Sequence, residues 1–219
     1  MTAAPKLKPV VTKPRLSDRT AAKFLRLPAL DQMRILREQK FPKEAPQFFM
    51  TQYYQPALTC IRQIVELGAG GLVDARATVQ KISKSSQRMH TMRVVEQFWS
   101  SEHASRALTL TPVKRHRLEL GDVELRTSPD LCALEGDEER FIYFNFKAET
   151  LDPEAARMTL EIAHWISKEN DIDVAPEQLE FIDLFTGTLY RGKKPRTRTI
   201  KLLQENAKLI ESLWPTIDP

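Results

Sequence analysis

Residues 118–149, LELGDVELRTSPDLCALEGDEERFIYFNFKAE, hold the one constellation in this chain whose residue types and spacing could do chemistry. Asp130 follows Pro129 at the head of one strand-like run, and Asn145 and Lys147 stand near the end of the next. Alternation along RFIYFNFK puts Phe141, Tyr143, Asn145 and Lys147 on one face. Ile142, Phe144 and Phe146 take the other face, which must be buried. An aspartate is a hard oxygen ligand, and a lysine can offset negative charge that develops in a reaction. Asparagine is close in shape to aspartate but neutral, so the identity of residue 145 decides what the group can do.

These residues need a scaffold, and the chain's punctuation supplies one. Ser17 is a suitable N-cap for a helix carrying Ala21, Ala22, Phe24 and Leu25, which Pro28 stops. A second helix is expected over 29–39, with Met33 and Leu36 on its apolar face. A long helical segment over 46–67 contains Pro56, which removes a backbone donor and predicts a kink or a break. Gly68, Gly70 and Gly71 end it. Its aromatic stripe, Phe48, Phe49, Tyr53 and Tyr54, reads as core or interface, with base stacking as the alternative. Further helices are expected over 73–82 and 86–105. The latter carries Met92, Val95 and Trp99 on one face, and His90, Glu96, Glu102 and His103 as weaker site candidates.

After Leu108 the period becomes alternating. KRHRLEL and VELRTS flank the Gly121-Asp122 turn, and DLCALEG and RFIYFNFK flank Asp137-Glu138-Glu139. Asp152-Pro153 opens a helix with Ala155, Met158, Ile162 and Trp165 in its apolar stripe. EQLEFIDLF follows as a strand, Thr186-Gly187 turns the chain back, and the basic loop RGKKPRTRT leads into a last helix. The fold class read from this pattern is α/β, a mixed sheet of about four to five strands flanked by helices, with a mostly helical N-terminal extension. Residues 1–16 form a disordered or extended basic tail, 17–84 a helical region, and 85–219 the α/β core with its C-terminal helix.

Composition bounds the function classes. The chain has 219 residues, 42% apolar, and no apolar run near the roughly 20 residues of a membrane span. Its N-terminus lacks the apolar stretch of a secretory signal. Cys60 and Cys132 are the only cysteines, so neither a disulfide framework nor a zinc site is expected, and the cytoplasm is the expected compartment. The net charge of +4 is unevenly spread. Arg76, Lys81, Lys84, Arg88 and Arg93 lie in one acid-free run, and Arg191, Lys193, Lys194, Arg196, Arg198 and Lys201 in another. Such asymmetry suits one face for a polyanion, with solvated helix faces as the plainer explanation.

Over residues 86–190 the order helix, strand, strand, strand, helix, strand, with Pro129-Asp130 and Asn145-Phe146-Lys147, resembles the PD-(D/E)xK nuclease superfamily, in particular its exonuclease-like branch. The resemblance implies a restriction-endonuclease-like core and metal-assisted phosphodiester hydrolysis. It casts Asp130 as a Mg²⁺ ligand, the Phe146 carbonyl as a second, and Lys147 as the catalytic lysine. Asn145 departs from the pattern, because a neutral amide replaces a carboxylate. Three explanations compete: a member of the family retained for binding, a carboxylate relocated to Glu135, Glu149, Glu96 or Glu102, or an introduced aspartate-to-asparagine change.

The expectation is a nucleic-acid-associated protein, impaired or inactive as a nuclease, with Mg²⁺ relevant only if it is active. DNA is favoured over RNA as partner, with phosphate contacts from Lys193, Lys194, Arg196, Arg198 and Arg88. The alternatives are an active Mg²⁺-dependent endonuclease or exonuclease with a relocated carboxylate, and a non-enzymatic adaptor. In the last case the N-terminal helices would mediate a homodimer or a protein partner.

Overall fold

The computed structural model describes residues 10–42 and 46–218, with only the backbone described over 46–52. Residues 1–9 of the expected tail therefore lie outside the described residues. Its end is not a loose tail. Arg15–Ser17 forms a strand, β1, paired in parallel with residues 124–126, and Leu16 is buried. The Ser17 hydroxyl accepts from the Thr20 amide and opens α1 (Asp18–Phe24); α2 (Ala29–Lys40) follows Pro28. Helix α3 (Pro46–Leu67) passes through Pro56 without the expected break. Ala57, Cys60, Ile61 and Ile64, buried just beyond the proline, hold the turn in place despite the lost hydrogen bond.

Gly68 turns the chain sharply into α4 (Ala69–Gln80), which crosses α3 at close range: a Cβ on Gly71 would meet the Gln63 carbonyl oxygen at 2.0 Å. Helix α5 (Ser85–Ser100) stops short of the expected 105, the last residues forming a 3₁₀ turn over Glu102–Ser105.

The remaining elements are β2 (Leu108–Thr111), β3 (His116–Leu120), β4 (Val123–Thr127), β5 (Leu131–Glu135), β6 (Glu138–Asn145), α6 (Pro153–Glu169), β7 (Leu179–Asp183), β8 (Leu189–Arg191) and α7 (Thr197–Leu213). Five strands form a mixed sheet in the order β2-β5-β6-β7-β8, in which only the β6–β7 pair is parallel. The α/β class, the mixed sheet and its helical flanks are as the periodicity predicts. The β3–β4 hairpin forms on the Gly121-Asp122 turn but leaves this sheet to build a second one, β1-β4-β3. The short run LTLT, β2, takes the vacated edge.

Helix α6 explains why two sheets coexist. Ala156, Leu160 and Ala163 pack on Tyr143, Phe141 and Phe181 of the large sheet. Met158, Ile162 and Ile166 pack on Val123 and Leu125 of the small sheet, with Leu203 and Ile210 of α7 and Phe24 of α1. The other face of the large sheet carries α3, α4 and α5. Both faces of β6 are thus covered, so Phe141 and Tyr143 are as buried as Ile142, Phe144 and Phe146. The N-terminal helices share their cores with the later elements.

One charged network is built around a buried glutamate of the sheet. Arg106 binds Glu180, which is fully buried, at 2.6 Å and Glu135 at 2.8 Å, and Arg140 also reaches Glu135 at 2.9 Å. The Arg106 guanidinium, against burial and with help from Arg140, holds the Glu135 carboxyl down at about 2. A depressed carboxyl stabilises the fold above its unfolded value of 4.5, and that contribution fades as pH falls toward about 2. Replacing Arg106→Met leaves the buried Glu180 charge with only the exposed Arg191 at 3.9 Å and should cost about 3–5 kcal/mol in denaturant titrations at pH 7. A cost below about 1 kcal/mol would refute this account of the network.

Candidate functional site

Asp130 sits just before β5, and its amide donates to the Ile142 carbonyl. Its carboxylate accepts from the Phe144 amide at 2.8 Å and forms an ion pair with Arg19 of α1. The Arg19 guanidinium lies over the rings of Tyr143 and Phe181 at 5.0 and 5.2 Å. Burial works against its charge, but Asp130 outweighs that and raises its pKa. Neighbouring Asp18 anchors this end of α1, its buried carboxylate accepting from Thr127 at 2.7 Å and Tyr143 at 2.8 Å. Burial raises the Asp18 pKa in spite of these donors.

Asn145 ends β6 directly beside Asp183 of β7. Its amide donates to the Asp183 carboxylate at 2.9 Å and to the Glu149 carbonyl at 2.8 Å. Asp183 is fully buried and also accepts from the Leu151 amide at 2.9 Å, the Phe185 amide at 3.1 Å and the Thr186 hydroxyl at 2.8 Å. The amide is therefore required where it stands, since a carboxylate in its place would face another carboxylate. Lys147 turns outward and pairs with the exposed Glu149 at 2.9 Å. That lysine holds the Glu149 carboxyl below its ordinary value.

These contacts do not fit a Mg²⁺ centre. The Asp130 carboxylate answers an arginine, and the Phe146 carbonyl accepts from Arg93 at 3.2 Å. Glu135 is locked at the far end of β5 by Arg106 and Arg140, and Glu96 pairs with Arg76 on the surface of α5. Glu102 lies in the 3₁₀ turn after α5. Among the described residues, no group of three or more His, Cys, Asp or Glu is placed to hold a metal ion.

What the structure does build is a cleft of about 490 Å³, lined by Arg19, Thr20, Lys23 and Arg26, by Asn145 to Lys147, and by the first turns of α6. Arg26 also lines an adjoining hollow with Arg157, Arg196 and Arg198. A band of cations thus runs from the cleft along α6 to the basic loop. Several are engaged: Arg26 with Asp152, Arg157 with Glu154 and Glu161, and Arg196 with the same two glutamates. Lys193, Lys194 and Arg198 are exposed and form no ion pair among the described residues. Gly192 anchors the loop, because any Cβ there would strike the Pro176 carbonyl oxygen at 2.1 Å.

Arg88 does not join this band. It lies on α5, in a hollow with Met89 and Met92, on the opposite side of the large sheet. Tyr53 and Tyr54 pack around His90, and Tyr54 stacks on Phe146 at 5.6 Å. The Phe48 and Phe49 side chains lie outside the described residues. Arg19 and Lys23, four residues apart on α1, are a site pair whose one signal in the sequence is that helical spacing. Asp183 offered only the D-x-x-T-G pattern of a turn, and its pairing with Asn145 depends on strand register.

No protein-family model matches the chain, and no curated protein matches it.

The Asn145–Asp183 contact yields a direct test. Asn145→Asp should destabilise the fold by about 2–3 kcal/mol at pH 7, because a buried donor becomes a like charge. Crowding raises the new carboxyl's pKa in the folded state, so the loss should shrink as pH falls toward about 4 and the acid again donates. Thermal melts at the two pH values check this. Equal stability of variant and parent at pH 7 would refute it.

Proposed function

We propose that this chain binds nucleic acid, with DNA as the favoured partner, through a PD-(D/E)xK-like core that is inactive as a nuclease. The element order α5-β2-β5-β6-α6-β7, with the β3–β4 hairpin set aside, supports the resemblance of the core. The absence of catalysis is supported by what surrounds the motif: an arginine occupies Asp130, and an amide satisfies Asp183. Fold alone assigns no activity.

The observation that carries the binding reading is the cationic band, continuous through Arg26 from the cleft to the loop. Phosphates would be met by Lys23 in the cleft and by Lys193, Lys194 and Arg198 beyond it, with Arg196 shared between the ligand and its glutamates. Arg19 is matched by Asp130, and the exposed lysines and Arg198 of the loop supply positive charge without a metal ion, so chelators should leave affinity unchanged.

Fluorescence anisotropy with a labelled DNA duplex tests this. The logarithm of the association constant should fall linearly with the logarithm of salt concentration. The triple change Lys193→Ala, Lys194→Ala, Arg198→Ala should lower that slope by about 0.9 per lost phosphate contact. Parallel incubation with Mg²⁺ or Mn²⁺ should leave the DNA intact. Absence of binding at low salt, or binding indifferent to salt, would defeat the reading. Cleavage abolished by Asp130→Ala would restore an active nuclease in its place.

A further inference from the structure

Helices α4 and α5 turn Leu72, Ala75 and Val79 of the one and Val94, Val95 and Phe98 of the other into the core on the large sheet. Between them, on the side open to solvent, lies a shallow hollow of about 350 Å³ lined by Gln80, Arg88, Met89, Met92, Arg93 and Glu96. Its accessible wall is almost wholly apolar, made by the two methionines and by the carbon stems of the longer polar side chains. Met89 stands 67% exposed at its edge. An isolated exposed methionine is ordinary on a protein surface. Here it borders a concave apolar wall, the shape that accepts a side chain from a partner.

The charges around the hollow are unbalanced. Glu96 is bound by Arg76 at 2.8 Å, a pair that ties α4 to α5 at one end. Asp74 stands back along α4, nearly two turns before Gln80. At the other end Lys81 and Lys84, in the connection between the helices, are exposed and form no ion pair among the described residues. Neither does Arg88, which donates to the Ile82 carbonyl at 3.1 Å, nor Arg93, which donates to the Phe146 carbonyl at 3.2 Å. Every cation of this acid-free run except Arg76 is therefore without a carboxylate among the described residues. A nucleic-acid strand would use the cations but leave the apolar wall empty, and no aromatic ring lines the hollow for base stacking. An acidic protein segment with an apolar anchor answers both features.

We infer that this face docks an acidic helical segment of a partner protein, which places an apolar side chain in the hollow and carboxylates against Lys81, Lys84 and Arg88. A groove between two packed helices receives a third helix by its ridges, so the apolar anchors repeat at i, i+4 and i+7. The unbranched methionines adapt to the anchor's shape, and the unmatched cations favour acidic partners and fix their direction along the groove. This surface lies across the large sheet from the cationic band, so the inference is independent of the nucleic-acid reading.

Fluorescence anisotropy with a labelled synthetic helix tests this, its leucines set at i, i+4 and i+7 and its other positions rich in glutamate. The full chain should bind this peptide, and versions with glutamine for glutamate or serine for leucine should bind at least about tenfold more weakly. Met89→Ser, and the paired surface change Lys81→Glu, Lys84→Glu, should each weaken binding at least about tenfold while the melting temperature stays that of the parent. The triple change Lys193→Ala, Lys194→Ala, Arg198→Ala should leave peptide affinity unchanged. Failure of the peptide to bind, or equal binding by the glutamine peptide or by both surface variants, overturns the inference even if salt-dependent DNA binding stands. A DNA duplex that displaces the peptide from the triple variant overturns it by assigning the surface to a polyanion. A dimer in sedimentation that Met89→Ser dissolves overturns it by assigning the surface to a second copy of the chain.

Discussion

A carboxylate withdrawn from water must be answered by donors, and the way Asp183 is answered fixes the end of the large sheet. Four donors converge on it, from Asn145, Leu151, Phe185 and Thr186. They join the last residue of β6 to the loop that leads into α6 and to the turn that leads into β8. The same demand is met differently at Asp130, where a guanidinium and one backbone amide serve, and at Asp18, where two hydroxyls and the Arg19 amide do. In each case the protein supplies what a metal ion or water would otherwise provide. The neutrality of Asn145 follows from this local accounting of charge.

The position of the cations follows from α6. A helix buried on two sides must be apolar over most of its circumference, and its polar residues are pushed to its ends and one edge. Arg157 and Glu161 share that edge with Arg196, while the first turns of the helix border the cleft. Because α1 and α7 pack on the same side of α6, their basic residues are gathered along it. The basic run on α4 and α5 lies across the large sheet and is excluded by the same layering. Two acid-free stretches of sequence therefore have unequal standing in three dimensions.

Much of the fold was legible because its signals are local. The Ser17 cap, the Asp152-Pro153 helix start and the Gly121-Asp122 hairpin each depend on a few adjacent residues; the second hairpin was legible too, though it turns on Gly136-Asp137, with Glu138 and Glu139 already in β6 rather than in the connection. The departure of the β3–β4 hairpin from the main sheet was not legible, since alternation reports that a strand has faces but not which partner it joins. Nor was the pairing of Arg15–Ser17, a strand too short to show a period. At the site, the motif spacing located the right strand ends but misassigned the contacts. Asp130 and Asn145 lie on one sheet, yet each is claimed by a residue from another element, Arg19 from α1 and Asp183 from β7. Such claims are set by tertiary packing, and the chain order conceals them.

The ion pairs also limit how strongly the band can act on a polyanion. Arg26, Arg157 and Arg196 are each shared with carboxylates that lie partly out of solvent, so a phosphate can recruit them only by competing with Asp152, Glu154 and Glu161. The Glu161 carboxylate, 1% exposed, cannot turn to water when its arginine leaves, which makes that exchange expensive. Lys23, Lys193, Lys194 and Arg198 carry no such obligation among the described residues. Their exposure leaves their charge available but weakens each contact by screening. Affinity from such a surface must come from several contacts made together along the strand.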